Sequence, residues 1–161
     1  MRFRLLWIMF LAASPGWILS AWAGQDEEAV HRTITQAVAS AATFSESRDK
    51  QAVLALYTDD YVGVQDGRAE TTAAIAQWLA DYEAELKQGN RLRFIGAVSN
   101  LKTGMEGSTA WAIYDYVFQA VRDGEFEGQD AGTCTSLLRK EHAVWRIFHD
   151  HCSKTGIPQP R

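Results

Sequence analysis

The chain has 161 residues, of which 16 are Lys or Arg and 20 are Asp or Glu, so its formal net charge is -4 at pH 7. Lys and Arg are not clustered, and the chain therefore lacks the basic surface that binds phosphate, which argues against a nucleic-acid partner. The length is typical of one domain with a single substantial core.

The first 23 residues have the pattern of a secretory signal peptide. Arginines at positions 2 and 4 and the largely apolar run Leu5–Leu19 precede a small-x-small cleavage site, Ala21-Trp22-Ala23. A retained membrane anchor would need about 20 unbroken apolar residues, whereas Pro15-Gly16 interrupts this run. We predict cleavage after residue 23 and export to the periplasm or the medium. The mature chain would have 138 residues, with 14 basic and 20 acidic side chains and a formal charge of -6.

Helical patterns open the mature chain. Apolar residues recur every three or four positions over Val30–Phe44, which predicts a long amphipathic helix. Ser47–Asp49 is typical of a break followed by a new helix cap. A second, shorter helix is predicted from Ala52 to Tyr57, ending at Thr58–Asp60.

A short strand and a third helix follow. Tyr61–Val64 has the composition of a strand, and Asp66-Gly67 that of a turn. Thr71 or Thr72 is predicted to open the third helix, and Gly89-Asn90 to end it.

From residue 91 onward apolar and polar residues alternate, which predicts strands over residues 92–101, 109–121, 133–140 and 144–153. Sequential strands joined by hairpins and preceded by helices predict an α+β class, with the helices on one face of a mostly antiparallel sheet. The domain is predicted to span residues 26–153, and residues 154–161 to form a loose tail.

The two cysteines, Cys134 and Cys152, flank the final turn. Strands paired about a centre near residue 143 would place them opposite each other, and export would permit a disulfide. A change of register by one residue would put them on opposite faces and forbid the bond. Because Glu141-His142-Ala143 does not specify the turn type, the sequence leaves the disulfide open.

The last strand resembles the end of the association domain of calcium/calmodulin-dependent protein kinase II, which has a Trp, an aliphatic residue and then His-x-His-x-Ser. The matching positions are Trp145, Ile147, His149, His151 and Ser153. Leu56–Tyr61 and Thr109–Tyr114 resemble the second-helix end and the central strand of the same superfamily, the nuclear transport factor 2-like proteins. Over residues 26–153 the chain is similar to the SnoaL-like members of that superfamily.

The resemblance implies a cystatin-like, nuclear transport factor 2-like cone, in which three N-terminal helices pack on a strongly curved sheet and leave a cavity. It also implies a homodimer formed through the outer face of the sheet. Kinase association domains line the cavity with arginines, but the equivalent positions here are Tyr116, Ser136 and Cys152. The resemblance therefore favours a small apolar or amphipathic ligand over an anionic one, and no cofactor is expected.

Aromatic residues are the main candidates for a ligand pocket. Tyr114, Tyr116 and Phe118 share one face of their strand and would form an aromatic wall with hydroxyl groups, whereas Asp115 would lie on the outer face. The alternative is that these rings simply pack the core. The predicted pocket residues are Trp78, Tyr82, Tyr114, Tyr116, Phe118, Ser136 and Cys152.

His149-Asp150-His151 is the candidate for acid–base chemistry, because it combines imidazoles with a carboxylate. Successive strand residues face opposite sides, so the two histidines share one face and Asp150 shares the other with Phe148 and Cys152. By the resemblance, the face that carries Asp150 lines the cavity and the histidines have a structural role. Two histidines without a third ligand do not make a metal site, so no metal is predicted.

Motifs for a nucleophile elbow, a phosphate loop and a zinc site are absent from the sequence. The first hypothesis is therefore an exported protein that binds a small ligand, with catalysis not evident. The second is a cofactor-free acid–base enzyme of the SnoaL or ketosteroid-isomerase kind, with Asp150 or His149 as the base and Tyr116 as hydrogen-bond donor. The third is a homo-oligomeric interaction module.

Overall fold

The computed structural model describes residues 16–155, with side chains from Gly24 onward. Most of the predicted signal peptide (residues 1–15) and of the predicted tail (residues 156–161) lies outside the described residues. In chain order the elements are α1 (Gly16–Ser47), α2 (Lys50–Leu54), β1 (Tyr57–Gln65), β2 (Arg68–Thr71), α3 (Thr72–Lys87), β3 (Leu92–Glu106), β4 (Thr109–Arg122), β5 (Glu125–Glu141) and β6 (Val144–Lys154).

Helix α1 lies against the inner face of the sheet, where it contacts β3, β4 and β6. Its predicted apolar stripe is buried, with Val30, Ile34 and Phe44 fully enclosed. Gly96 of β3 permits the close approach, because a Cβ there would collide with the backbone carbonyl of Val38. The long helix and the sheet therefore form the two layers of one core.

Two side chains bind the early part of α1 to the final hairpin. Asp26 accepts hydrogen bonds from the Lys140 ammonium at 2.6 Å and from the Trp145 indole at 3.0 Å. Thr33 donates to the Trp145 carbonyl at 3.1 Å. The pKa of Asp26 is lowered, chiefly by the hydrogen bond from Lys140.

The second helix is shorter than predicted. Asp49 caps α2 by accepting a hydrogen bond from the Ala52 amide at 3.0 Å, but the helix ends at Leu54. Tyr57, predicted to be helical, opens β1 and pairs with Ile147 of β6. The prediction failed because pairing with a central strand outweighs the helical spacing of a few apolar residues. The limits of α3 agree with prediction, since Thr71 caps it and Gly89 follows with a φ of 87°.

The six strands described form one mixed sheet in the order β2-β1-β6-β5-β4-β3. All neighbouring pairs are antiparallel except β1 and β6, which are parallel. Strand β2 was not predicted. It pairs with β1 across the two-residue turn Asp66-Gly67, where both residues have positive φ as a type I′ turn requires.

A β-bulge in β6 sets the register of the final hairpin. Next to the turn Lys140 pairs with Trp145, and this register, if it continued, would place Cys134 opposite His151. The pairing shifts between Leu137 and Leu138 because Phe148 is an extra residue in β6. Cys134 consequently lies opposite Cys152, and the two are joined in a disulfide.

The outer face of the sheet exposes apolar side chains. Trp111 and Ile113 of β4 are 43% and 42% exposed. Asp115, as predicted from alternation, lies on this face and accepts hydrogen bonds from Asn100 at 2.7 Å and Thr133 at 2.9 Å. The expected homodimer stays a prediction. Within the described part of the chain, no helix has both the length and the apolar character to cross a membrane.

The last turn offers a test of the hairpin geometry. His142 and Ala143 have φ values of 49° and 67°, which are strained for residues other than glycine. We expect Ala143→Gly to raise the free energy of unfolding by about 1 kcal/mol, measured by urea denaturation. Ala97→Gly in β3 is the control and should lower it by about 0.5–1 kcal/mol, because the strand needs no positive φ there. Equal destabilisation by both changes would contradict the positive φ of Ala143 in this turn.

Candidate functional site

A cavity of about 380 Å³ lies between α1, α3 and the inner face of the sheet. Every strand contributes to its wall. The lining residues are Ala37, Val38, Tyr57, Tyr61, Val64, Gln65, Glu70, Trp78, Phe94, Tyr114, Tyr116, Phe118, Asp130, Cys134, Asp150 and Cys152. The volume is at the small end of the range for small-molecule sites.

Strand alternation in β4 builds the predicted aromatic wall. Tyr114, Tyr116 and Phe118 all line the cavity. Phe118 stacks on Phe94 of β3 with ring centroids 5.0 Å apart, and Phe94 lies 5.7 Å from Trp78 of α3. These rings form a continuous apolar surface along one side of the cavity.

Two of the seven predicted pocket residues do not line the cavity. Tyr82 lies behind Trp78, packed on Phe44, and its hydroxyl donates to the Leu92 carbonyl at 2.9 Å. Ser136 is fully buried beneath the cavity floor, with its hydroxyl 3.1 Å from that of Tyr114. Both side chains find their hydrogen-bond partners within the protein, and this leaves them nothing to present to a ligand.

Asp150 of β6 lies in the cavity wall. Its Oδ2 is 3.4 Å from the hydroxyl of Tyr61, while its Oδ1 is buried and has no hydrogen-bond partner among the described residues. Ser136 is opposite Asp150 in the ladder, and its hydroxyl lies 3.1 Å from that of Tyr114. The carboxyl is therefore both enclosed and incompletely satisfied.

Burial raises the pKa of Asp150 to about 6, because the charged form is poorly solvated. The neighbouring Glu70 carboxylate acts in the same direction, whereas the hydroxyls of Ser136 and Tyr61 and the imidazole of His149 lower the pKa. Both protonation states are consequently accessible near neutral pH, which is the property that general acid–base catalysis uses.

The sequence reasoning missed five polar residues of the cavity: Gln65, Asp130 and three that lie near Asp150, namely Tyr57, Tyr61 and Glu70. The two tyrosine rings are in edge contact at 4.7 Å, and the Tyr61 hydroxyl is 3.4 Å from Glu70 Oε2 as well as from Asp150. A Cβ at Gly63 would collide with the Tyr61 hydroxyl, so this glycine makes room for the ring. Burial raises the pKa of Glu70, and it also raises the pKa of both phenols, which remain protonated donors at neutral pH.

The sequence does contain patterns that could have identified Tyr57, Tyr61 and Glu70. Tyr57 and Tyr61 have the same parity within β1, so reading Tyr57–Gln65 as a strand would have put both on the inner face. Asp66-Gly67 is a strong hairpin signal, and extending it would have produced β2 and with it Glu70.

The histidines lie outside the cavity. His149 Nδ1 is 2.7 Å from the Val62 carbonyl, and His151 is exposed. The assignment of Phe148 to the same face as Asp150 was wrong, because the bulge takes its ring out of the cavity lining and against the Arg139 guanidinium, 5.4 Å from the ring centre. In residues 16–155, no group of three or more His, Cys, Asp or Glu side chains could hold a metal ion.

Tyr116, the predicted hydrogen-bond donor, lines the cavity and is 8% exposed. Its hydroxyl is buried and has no partner among the described residues. Burial raises the pKa of this phenol, so it keeps its proton. Together with Asp150 Oδ1 it supplies two buried polar atoms that have no hydrogen-bond partner among the described residues and are available to a bound molecule.

The raised pKa of Asp150 predicts a pH-dependent stability. A carboxyl whose pKa rises on folding, here from 3.8 to about 6, stabilises the protein below about pH 4 and loses that contribution as the pH rises through about 6. Between pH 4 and pH 7.5 we expect Asp150→Asn to gain stability relative to the wild type, by up to about 3 kcal/mol. Denaturant melts across this range measure the difference.

Asp115→Asn is the control, and its effect on stability should depend on pH in the opposite direction. The hydrogen bonds from Asn100 and Thr133 lower the pKa of Asp115 on the outer face, so its contribution is present at neutral pH and lost in acid. This variant should be less stable than the wild type at pH 7.5, with the difference shrinking towards pH 3. An Asp150→Asn curve parallel to that of the wild type would contradict the buried position of Asp150.

Comparisons with known proteins agree with this architecture. A sequence profile of the SnoaL-like domain matches residues 34–158, whereas no curated protein matches the chain. A nuclear transport factor 2-like protein with a cystatin-like fold from Novosphingobium aromaticivorans superposes with a TM-score of 0.70 at 18% identity, covering 91% of this chain and 93% of its own.

Two further solved structures share the fold. A protein from Novosphingobium aromaticivorans, proposed to be an aromatic ring hydroxylase, has a TM-score of 0.64 at 20% identity and covers 83% of this chain and 91% of its own. One from Xanthomonas campestris, proposed to be a calcium/calmodulin-dependent protein kinase II association domain, has a TM-score of 0.56 at 16% identity and covers 81% and 86%. The match over residues 34–158 shows that the chain belongs to the SnoaL-like family of the nuclear transport factor 2-like superfamily.

Proposed function

We propose that this protein binds a small amphipathic organic molecule in the cavity. The observation that carries the proposal is an aromatic cavity of about 380 Å³ in which the Tyr116 hydroxyl has no partner among the described residues. An apolar body would lie on the Trp78, Phe94 and Phe118 rings, while a polar group would meet the buried polar atoms. The structural neighbour proposed to hydroxylate aromatic rings supports a ligand of this kind.

The same proposal places the protein outside the cytoplasm. The signal-peptide pattern of residues 1–23 supports export. The disulfide between Cys134 and Cys152 supports it too, because such bonds persist in oxidising compartments. Detection of the protein in the periplasm or the medium, with residue 24 as its N-terminus, tests this; a cytoplasmic protein that keeps residue 1 would refute it.

Binding is tested with prodan, an uncharged naphthalene ketone, through quenching of Trp78 fluorescence. We expect saturable binding that Tyr116→Phe weakens about 3- to 10-fold, since one hydrogen bond to the ketone is lost. Tyr82→Phe is the matched control. It removes a buried hydroxyl that bonds Leu92 outside the cavity, so it should lower stability and leave the Kd unchanged.

A Trp78→Phe variant confirms the origin of the signal, because Trp111 and Trp145 lie outside the cavity lining. The absence of saturable quenching, or equal weakening by Tyr116→Phe and Tyr82→Phe, would count against binding in this cavity.

Acid–base catalysis on the bound molecule is a second candidate, favoured by the position and pKa of Asp150. Asp150 would remove a proton next to a carbonyl group, and a phenol hydroxyl such as that of Tyr116 would donate a hydrogen bond to the enolate oxygen. Return of the proton from Asp150 to the same or a neighbouring carbon would complete the cycle. The step needs no cofactor.

The catalytic proposal is tested with 2-tetralone in D₂O, with NMR following loss of its α-protons. We expect the protein to accelerate this exchange at least about 100-fold over buffer, with a rate that rises through about pH 6 as Asp150 ionises. Asp150→Asn should reduce the rate to that of buffer. His149→Asn, which changes a residue outside the cavity, should keep most of the activity; loss of exchange in both variants, or in neither, would exclude Asp150 as the base.

A further inference from the structure

The charged groups that line the cavity are all acidic. Among the described lining residues these are Glu70, Asp130 and Asp150, and none is Lys, Arg or His. Asp130 forms a salt bridge with Lys154 at 3.1 Å, so its charge is already compensated. Within the described residues Glu70 and Asp150 form no salt bridge, and the Tyr61 hydroxyl lies 3.4 Å from each.

The hydrogen-bond capacity of the cavity is also unbalanced. One O–H of Tyr61 cannot satisfy two carboxyl groups at once, and Asp150 Oδ1 is left without any donor among the described residues. The Tyr116 hydroxyl, on a side chain that is 8% exposed, has no partner either. A ligand that brings several N–H donors would satisfy the carboxyl oxygens as well as the Tyr116 hydroxyl, whereas a carbonyl or a carboxylate would satisfy only the hydroxyl.

Aromatic faces complete the environment that cations prefer. Trp78, Phe94 and Phe118 form a connected set of rings, and Tyr57 and Tyr61, with ring centroids 4.7 Å apart, also line the cavity. Ring faces attract ammonium groups, and the attraction is greatest when the cation is removed from water.

We infer that the molecule bound in this cavity is an organic cation: a primary amine with an apolar body, its ammonium group held by Asp150 and Glu70 and its body packed on Trp78, Phe94 and Phe118. This inference rests on the proposed binding function and adds its ligand class. The bound ammonium would supply a positive charge to two partly buried carboxyl groups that form no salt bridge among the described residues.

Binding of a cation requires ionised carboxylates, so the affinity should depend on pH. The titratable groups that face Asp150 are Glu70 from β2, Tyr57 and Tyr61 from β1, Tyr114 from β4 and, from the other face of its own strand, His149. The phenols keep their protons throughout the accessible range, because burial raises the pKa of each. Affinity for an amine should therefore rise between pH 5 and pH 7.5 as the carboxyl groups ionise.

The test compares two probes of equal size, phenethylamine and 2-phenylethanol, by calorimetry on the purified protein. At pH 7.5 we expect the amine to bind at least about tenfold more tightly than the alcohol, and the preference to fall at pH 5. Asp150→Asn and Glu70→Gln should each remove most of this preference. Asp115→Asn on the outer face is the control for general attraction to an acidic protein, and it should change neither affinity.

The outcomes separate the inference from the function on which it rests. Alcohol binding equal to or tighter than amine binding would overturn the cation assignment and leave the proposed cavity function standing. Binding of neither probe would overturn both. An amine preference that survives both cavity variants would place the cation elsewhere on the acidic surface and likewise overturn the assignment. Should a variant fail to bind even the alcohol, the pH dependence of the wild-type preference decides, and a preference that does not change with pH refutes the inference.

Discussion

The β-bulge at Phe148 changes the register between β5 and β6 by one residue, and the positions of the core, the disulfide and the cavity carboxyl follow from it. Before the bulge, Trp145 and Ile147 face the core; after it, Asp150 and Cys152 face the cavity. Uninterrupted alternation would have put the two sets on opposite faces of the sheet. One extra residue thus lets a single strand close the apolar core with one half and supply a carboxyl to the cavity with the other.

Enclosing that carboxyl has a stability cost that the rest of the chain must offset. The raised pKa of Asp150 and the Tyr116 hydroxyl, which has no partner among residues 24–155, are both signs of incompletely satisfied polar groups. The core around α1, the anchoring of that helix through Asp26 and the disulfide oppose this cost. Buried polar groups that lower the stability of the fold are typical of functional sites.

The parts of the site that could be predicted lie where the residues of one strand alternate between the two faces of the sheet without interruption. The inward set Tyr114, Tyr116 and Phe118 is correct because β4 keeps the pleat parity over those residues, so spacing alone separates the two faces. Tyr57, predicted to end the second helix, instead opens strand β1, because partners distant in sequence stabilise the extended backbone there. Glu70 could not be placed for the same reason, since it lies on an edge strand of four residues that exists by pairing with β1.

From the sequence alone came the α+β class, the inner and outer faces of β4 and the limits of α3, because each of these depends on local spacing and residue type. Tertiary structure decided the register of the last hairpin, the pairing of β1 beside β6 and the meeting of Asp150, Tyr61 and Glu70. These depend on contacts between residues far apart in the chain and on one bulge, and a period-two pattern carries no information about where a strand gains an extra residue.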